Sequence, residues 1–256
     1  MTKTYIWWRL LCGVSVLNVL LWGWVFSLQT AMDSKSQIQT ALSAIYVLVC
    51  AFRSFYPRID LERNCLHDSP LSSIVLGRAC ATVAEICFSI QCALIIYNLG
   101  IFIEASWVVL ISYTFVPIII LAQLFCWYAT LTLNHYWHAL EESAWVLMIT
   151  LALFCLINGY LSLDGQKKLV MLAGISACLG SLYIMVFVDI PMYLARVKLH
   201  HTAGKQYLTL SAGIQDAWGR RVQTSDWAIW KKEVLWLTSY FTLGVWLSIA
   251  MMAFKF

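Results

Sequence analysis

The chain has 256 residues, of which 61% are hydrophobic and only 12% charged, with a formal net charge of +4. A water-soluble domain of this length cannot hide that much apolar side chain, since ordinary usage is nearer half apolar and a quarter charged. The mean hydropathy of +0.76 and the gathering of apolar residues into long runs point to a membrane, and the small positive charge suits an inner face meeting anionic lipid and needs no nucleic-acid partner.

Seven apolar runs follow in chain order, at about 5–27, 38–55, 71–98, 105–133, 144–162, 169–194 and 229–254. Each reaches or approaches the roughly 20 residues a helix needs to cross a hydrocarbon core of about 30 Å. The fold expected is all-α: a polytopic bundle of seven transmembrane helices forming a single integral membrane domain over residues 1–256. The first run, Leu10–Ser27 behind Lys3 and Arg9, has the outline of a signal peptide. Its length, Trp22 and Trp24 at its far end and the lack of a small-x-small cleavage site favour a retained helix. The second run is the weakest, because its clean core from Ile38 to Phe52 is short and follows Ser36 and Gln37.

Between runs two and three lies RSFYPRIDLERNCLHDSP, which mixes Arg53, Arg58 and Arg63 with Asp60, Glu62 and Asp68. It reads as a salt-bridged loop, or as arginines seating a phosphate head group. Run three is the most unusual helix. Arg78 and Glu85 fall within about 20° of one face and about 10 Å apart along the axis, with Thr82 between them and Ser89 beyond. Glu85 lies near mid-span, where an ionisable group is expensive against lipid and must face the bundle interior with a partner. Arg78 is nearer the end and can snorkel.

Past run four comes NHYWHALEESAW. If helix continues there, His135, His138 and Glu142 share a face at spacings of three and four residues. Two imidazoles and a carboxylate suit a divalent metal with positions left open for water or substrate. Asp189 in VFVDIPMY, His200, His201 and Glu233 are further contributors to such a site. The bland alternative is a helix end with solvated histidines and acids. The longest connection runs from Arg196 to about Ala228. Tyr207, Leu210, Ile214 and Ala217 give it one apolar side, so it is either a short helix in the membrane interface anchored by Trp218 or a loop over the bundle mouth.

Lys and Arg set the orientation. With the N-terminus cytoplasmic, twelve fall on the inner side (Lys3, Arg9, Arg53, Arg58, Arg63, Arg196, Lys198, Lys205, Arg220, Arg221, Lys231 and Lys232), against four outside (Lys35, Lys167, Lys168 and Lys255). The C-terminus is then on the opposite side, and all five histidines face inward. The membrane is a bacterial inner membrane or an organellar one. Tryptophans near span ends form an interfacial belt. Of the nine cysteines, eight lie in spans and read as small hydrophobes, with Cys65 in a loop and no CxxC pair. No internal repeat is visible, and Pro57, Pro70, Pro117 and Pro191 form no matched pair of helix interruptions. HExxH, P-loop, GxGxxG and GxSxG motifs are absent.

These readings converge on a polar site opening to the cytoplasmic face, with Glu85, Arg78 and Asp189 as acid–base residues and His135, His138 and Glu142 as metal ligands. The expected function is metal-assisted or acid–base chemistry on a lipid or other membrane-borne substrate, with a divalent metal as the implied cofactor and membrane lipids as partners. A proton- or cation-coupled transporter or channel using Glu85 is the rival class, and an assembly subunit of a membrane complex is the third.

Overall fold

The computed structural model describes residues 2–29 and 33–255. Helices carry almost all of it, and seven are long and apolar enough to cross a membrane. The chain divides into two compact units, one of residues up to Gln91 with Ile214–Lys255, the other of Cys92–Gly213.

The first unit opens with α1 (Lys3–Ser27) and α2 (Ser34–Phe55). Asp33 caps α2 by accepting the Ser36 N–H at 3.0 Å. This gives the second span a full 22 residues where the sequence alone left it short. Next come β1 (Arg58–Ile59) and β2 (Asn64–Cys65), paired antiparallel. A 3₁₀ turn over Pro70–Ser72 leads into α3 (Ile74–Phe102), whose first part belongs to this unit.

The second unit shows what two prolines do inside apolar helices. The fourth span is interrupted: α4 (Ser106–Ser112) and α5 (Phe115–Thr132) are separated at Tyr113–Thr114. Pro117 explains the break, because its ring clashes with the carbonyl four residues back, at Tyr113. After α6 (His135–Ser162) and α7 (Gly165–Ile184), a π-helical turn over Met185–Asp189 precedes α8 (Ile190–Thr202). Pro191 sits just past that turn, and the widened turn absorbs its missing N–H.

Two helices run past the expected spans. The helix that carries the fifth, expected from about residue 144, begins at His135, so the expected polar connection is helix. The sixth runs over Gly165–Thr202, 38 residues or about 57 Å of helix, so His200 and His201 lie on a helix rather than in a loop. Its exposed Leu169, Leu179, Phe187 and Leu199 suit contact with lipid.

The chain returns through α9 (Leu210–Gly219), which confirms a short helix in the long connection. β3 (Val222–Gln223) follows and pairs parallel to β2. Last come α10 (Trp227–Trp230), α11 (Val234–Ser239), a second π turn over Tyr240–Gly244, and α12 (Val245–Ala253).

The first unit's core gathers Trp7 and Leu11 of α1, Tyr46, Val47 and Cys50 of α2, and Trp230, Phe241 and Ile249. Two polar ties hold its helices. The Asn18 amide donates to the carbonyl of Phe241 in the π turn at 2.8 Å and accepts from the Trp246 indole at 2.9 Å. Gln91 of α3 donates to the carbonyls of Gln39 and Ser248 and accepts from the Ser248 hydroxyl at 2.7 Å. Such bonds do the interhelical work that the hydrophobic effect cannot do in lipid.

Candidate metal centre

In the second unit a chain reversal creates the most chemically loaded cluster. α5 ends at Thr132, Leu133 takes a left-handed conformation with φ of 58°, and the Asn134 side chain accepts the Tyr136 N–H at 3.2 Å to start α6. A leucine rarely adopts such a backbone. The reversal lays α6 back along α5 and brings Cys126 of one beside His138 of the other.

The Cys126 thiol, a ring nitrogen of His138 and a carboxylate oxygen of Glu141 lie within 4.8 Å of one another, and all three residues are buried. Nδ1 of His138 is 2.8 Å from Oε2 of Glu141. The other ring nitrogen, Nε2, is buried without a hydrogen-bond partner. Buried polar atoms in folded chains are nearly always paired, so such an atom calls for a partner that the protein itself does not supply. Tyr193 of α8 stacks on His138 with ring centroids 4.9 Å apart at 23°. Glu142, Glu141, Cys126 and Asp189 all lie within electrostatic reach of its phenol.

Of the remaining histidines of this unit, His200 lies within electrostatic reach of His135. The His135 ring is 6.5 Å from that of His138, and its Nδ1 is also buried and unpartnered. His200 stacks on Tyr207 at 4.2 Å and 5°, and His201 meets the same ring edge-on at 6.0 Å.

A thiolate, an imidazole and a carboxylate together suit a borderline ion such as Zn²⁺ better than Mg²⁺ or Ca²⁺, which take all-oxygen sites. Three protein ligands leave a tetrahedral ion one open position, the arrangement that activates water or polarises a carbonyl.

The residues singled out from the sequence therefore separate. His135, His138 and Glu142 occupy the first two turns of α6, and Glu142 is buried at 9% exposure. Of the three, only His138 belongs to the compact triplet, which takes Glu141 in place of Glu142 and adds Cys126. Asp189 ends the first π turn, half-buried. Glu233 precedes α11 in the first unit. Nothing in the sequence signals Cys126, because its pairing depends on a reversal at Leu133 that has no glycine to announce it.

In the first unit, Nη2 of Arg78 meets Oε1 of Glu85 at 2.7 Å, and both residues are 8% exposed. The partner that a mid-span carboxylate requires thus comes from its own helix. The arginine-rich loop closes on itself and on the returning chain. Arg58 pairs with Asp60 at 3.4 Å, Arg63 with Asp216 at 2.8 Å, and Arg221 with Asp68 at 2.9 Å. Burial pulls the Arg58 guanidinium down to about 10, with Asp60 acting in the opposite direction. It stays charged at neutral pH. These pairs match the salt-bridged reading of the loop.

No protein-family model, curated protein or solved structure matches the chain.

Proposed function

We propose that this chain is an integral membrane protein that binds a transition metal through Cys126, His138 and Glu141 and uses it on a lipid or other membrane-borne substrate. The support is the meeting of three buried ligand-type atoms from two helices within 4.8 Å. An unpartnered Nε2 on the histidine adds to it. Buried charge is costly unless it is paired or coordinates a metal, and an ion would discharge that cost here. Glu142 and Asp189 lie within electrostatic reach of the Tyr193 phenol, which stacks on His138, and these are the groups the reading assigns to proton handling.

The chain has its N-terminus in the cytoplasm and its C-terminus opposite, by the excess of Lys and Arg in one set of connections. That orientation turns the start of α6 and the end of α8 to the inner face of a bacterial inner membrane or an organellar membrane.

Cobalt loading tests the metal centre. The purified full chain in mild detergent takes up one Co²⁺ and develops the near-ultraviolet charge-transfer band of a thiolate ligand. Cys126→Ser abolishes the band, and His138→Ala lowers affinity by roughly 10–100-fold or more. Absence of stoichiometric uptake, or a band that persists in Cys126→Ser, overturns the reading.

A second reading makes Glu85 a coupling carboxylate for proton or cation transport, favoured by its burial in mid-span. Its pairing with Arg78 weighs toward a structural tie. Loss of pH-driven flux in Glu85→Gln liposomes, with cobalt binding unchanged, would reverse that order.

A further inference from the structure

In the first unit, Trp8 of α1, Phe52 and Phe55 of α2, Tyr56 just beyond α2 and His67 just beyond β2 line an open cleft of about 420 Å³. Trp8 and Tyr56 each meet His67 at a steep angle. Trp8 and His67 have centroids 4.7 Å apart at 64°, and Tyr56 and His67 6.5 Å apart at 80°. Phe52 adjoins Tyr56 at 5.5 Å. The Trp8 indole N–H is already donated to the Phe55 carbonyl at 3.2 Å, so that ring is held in place and has no donor left to offer. Nε2 of His67 is buried without a hydrogen-bond partner.

A wall of rings with no carboxylate has a definite preference. Aromatic faces carry negative quadrupole density and attract cations. A primary ammonium or a divalent ion would also require oxygen acceptors for its N–H groups or coordination sites, and no lining residue is acidic. A quaternary ammonium has no N–H to satisfy and an apolar methyl surface. An anion would need several donors, and the cleft offers only the Tyr56 phenol and one imidazole. Burial alone lowers the His67 imidazole below its usual range, so it is a neutral ring at pH 7 and does not repel a cation.

We propose that this aromatic cleft binds a quaternary ammonium group of the choline class, carried by a lipid head group or free in solution. The site lies in the first unit.

Native mass spectrometry of the full chain in maltoside detergent tests this. Phosphatidylcholine and phosphatidylethanolamine with identical acyl chains are added in turn. The choline lipid is expected to be retained about tenfold better, and the preference to disappear in Trp8→Leu and in Tyr56→Leu. Displacement of bound phosphatidylcholine by millimolar tetramethylammonium identifies the cation alone as sufficient. Resistance to it assigns the site to the intact lipid head group. Equal retention of the two lipids by the unaltered chain overturns the proposal whatever the variants do. So does a choline preference that survives in both variants. A variant that loses monodispersity is replaced by Phe52→Leu, and the comparison on the unaltered chain stands without any variant.

Discussion

Nδ1 of His138 lies 2.8 Å from Oε2 of Glu141, one turn further along the same helix, and both side chains are buried. In a metal-free chain this contact is a hydrogen bond that fixes the ring and leaves the buried Nε2 without a partner. With an ion present, the Glu141 carboxylate serves as the third protein ligand beside Cys126 and His138. Glu141→Gln keeps the shape and one acceptor oxygen, so folding should hold while Co²⁺ affinity falls by about tenfold or more. Glu141→Ala should additionally cost about 2 kcal/mol by leaving the ring without its partner. Cobalt titration beside denaturant unfolding in mixed micelles separates the two effects. Equal affinity in Glu141→Gln and the unaltered chain would remove Glu141 from the centre.

Arg78 and Glu85 make the second expectation. Removing one member of a buried pair strands the other charge and costs about 3–5 kcal/mol. Arg78→Ala should therefore be severe, and Arg78→Ala/Glu85→Ala milder than the sum of the single changes. A double-mutant cycle on unfolding free energy reads this directly. Additive single effects would mean that the 2.7 Å contact contributes nothing.

Gly77 supplies a third. A Cβ at this position would collide with the guanidinium of Arg58, which is only 5% exposed. Gly77→Ala should destabilise by about 1–3 kcal/mol, the usual range for overpacking. In an Arg58→Ala background the obstacle is gone. The same change should then stabilise by up to about 1 kcal/mol, because alanine is the better helix former. A cost that persists in that background would show that the guanidinium is not what glycine makes room for.

Stability should also depend on pH through His67. Burial lowers its folded value below the ordinary 6.5, so the unfolded chain binds the proton more readily. The contribution is fully present above about 6.5 and is lost as pH falls through the lower folded value. Thermal unfolding should show a drop in Tm between pH 7.5 and pH 5 that is smaller in His67→Phe. Identical pH profiles would contradict this placement of the imidazole.

Several elements are legible in the residues themselves. The apolar runs mark seven helices because each is long enough to span lipid, where only internally hydrogen-bonded backbone is tolerated. Leu210, Ile214 and Ala217 recur at helical spacing in an otherwise polar connection, and α9 forms over them. Pro117 and Pro191 carry a further signal. Each marks a disturbed turn a few residues upstream, and reading them singly rather than as a pair locates both interruptions.

The sequence by itself determines the class of this protein, its helices and the expensive residues, because hydropathy, helical period and the cost of buried charge act locally along the chain. Which of those residues meet is decided only in three dimensions. Cys126 reads as one more small apolar residue until the left-handed Leu133 turns α6 back along α5 and sets the thiol against His138. Whether Glu141 or its neighbour Glu142 joins them depends on the rotation of α6 about its own axis. Consecutive residues differ there by about 100°, and packing against α5 and α8, not the order of the letters, selects the angle.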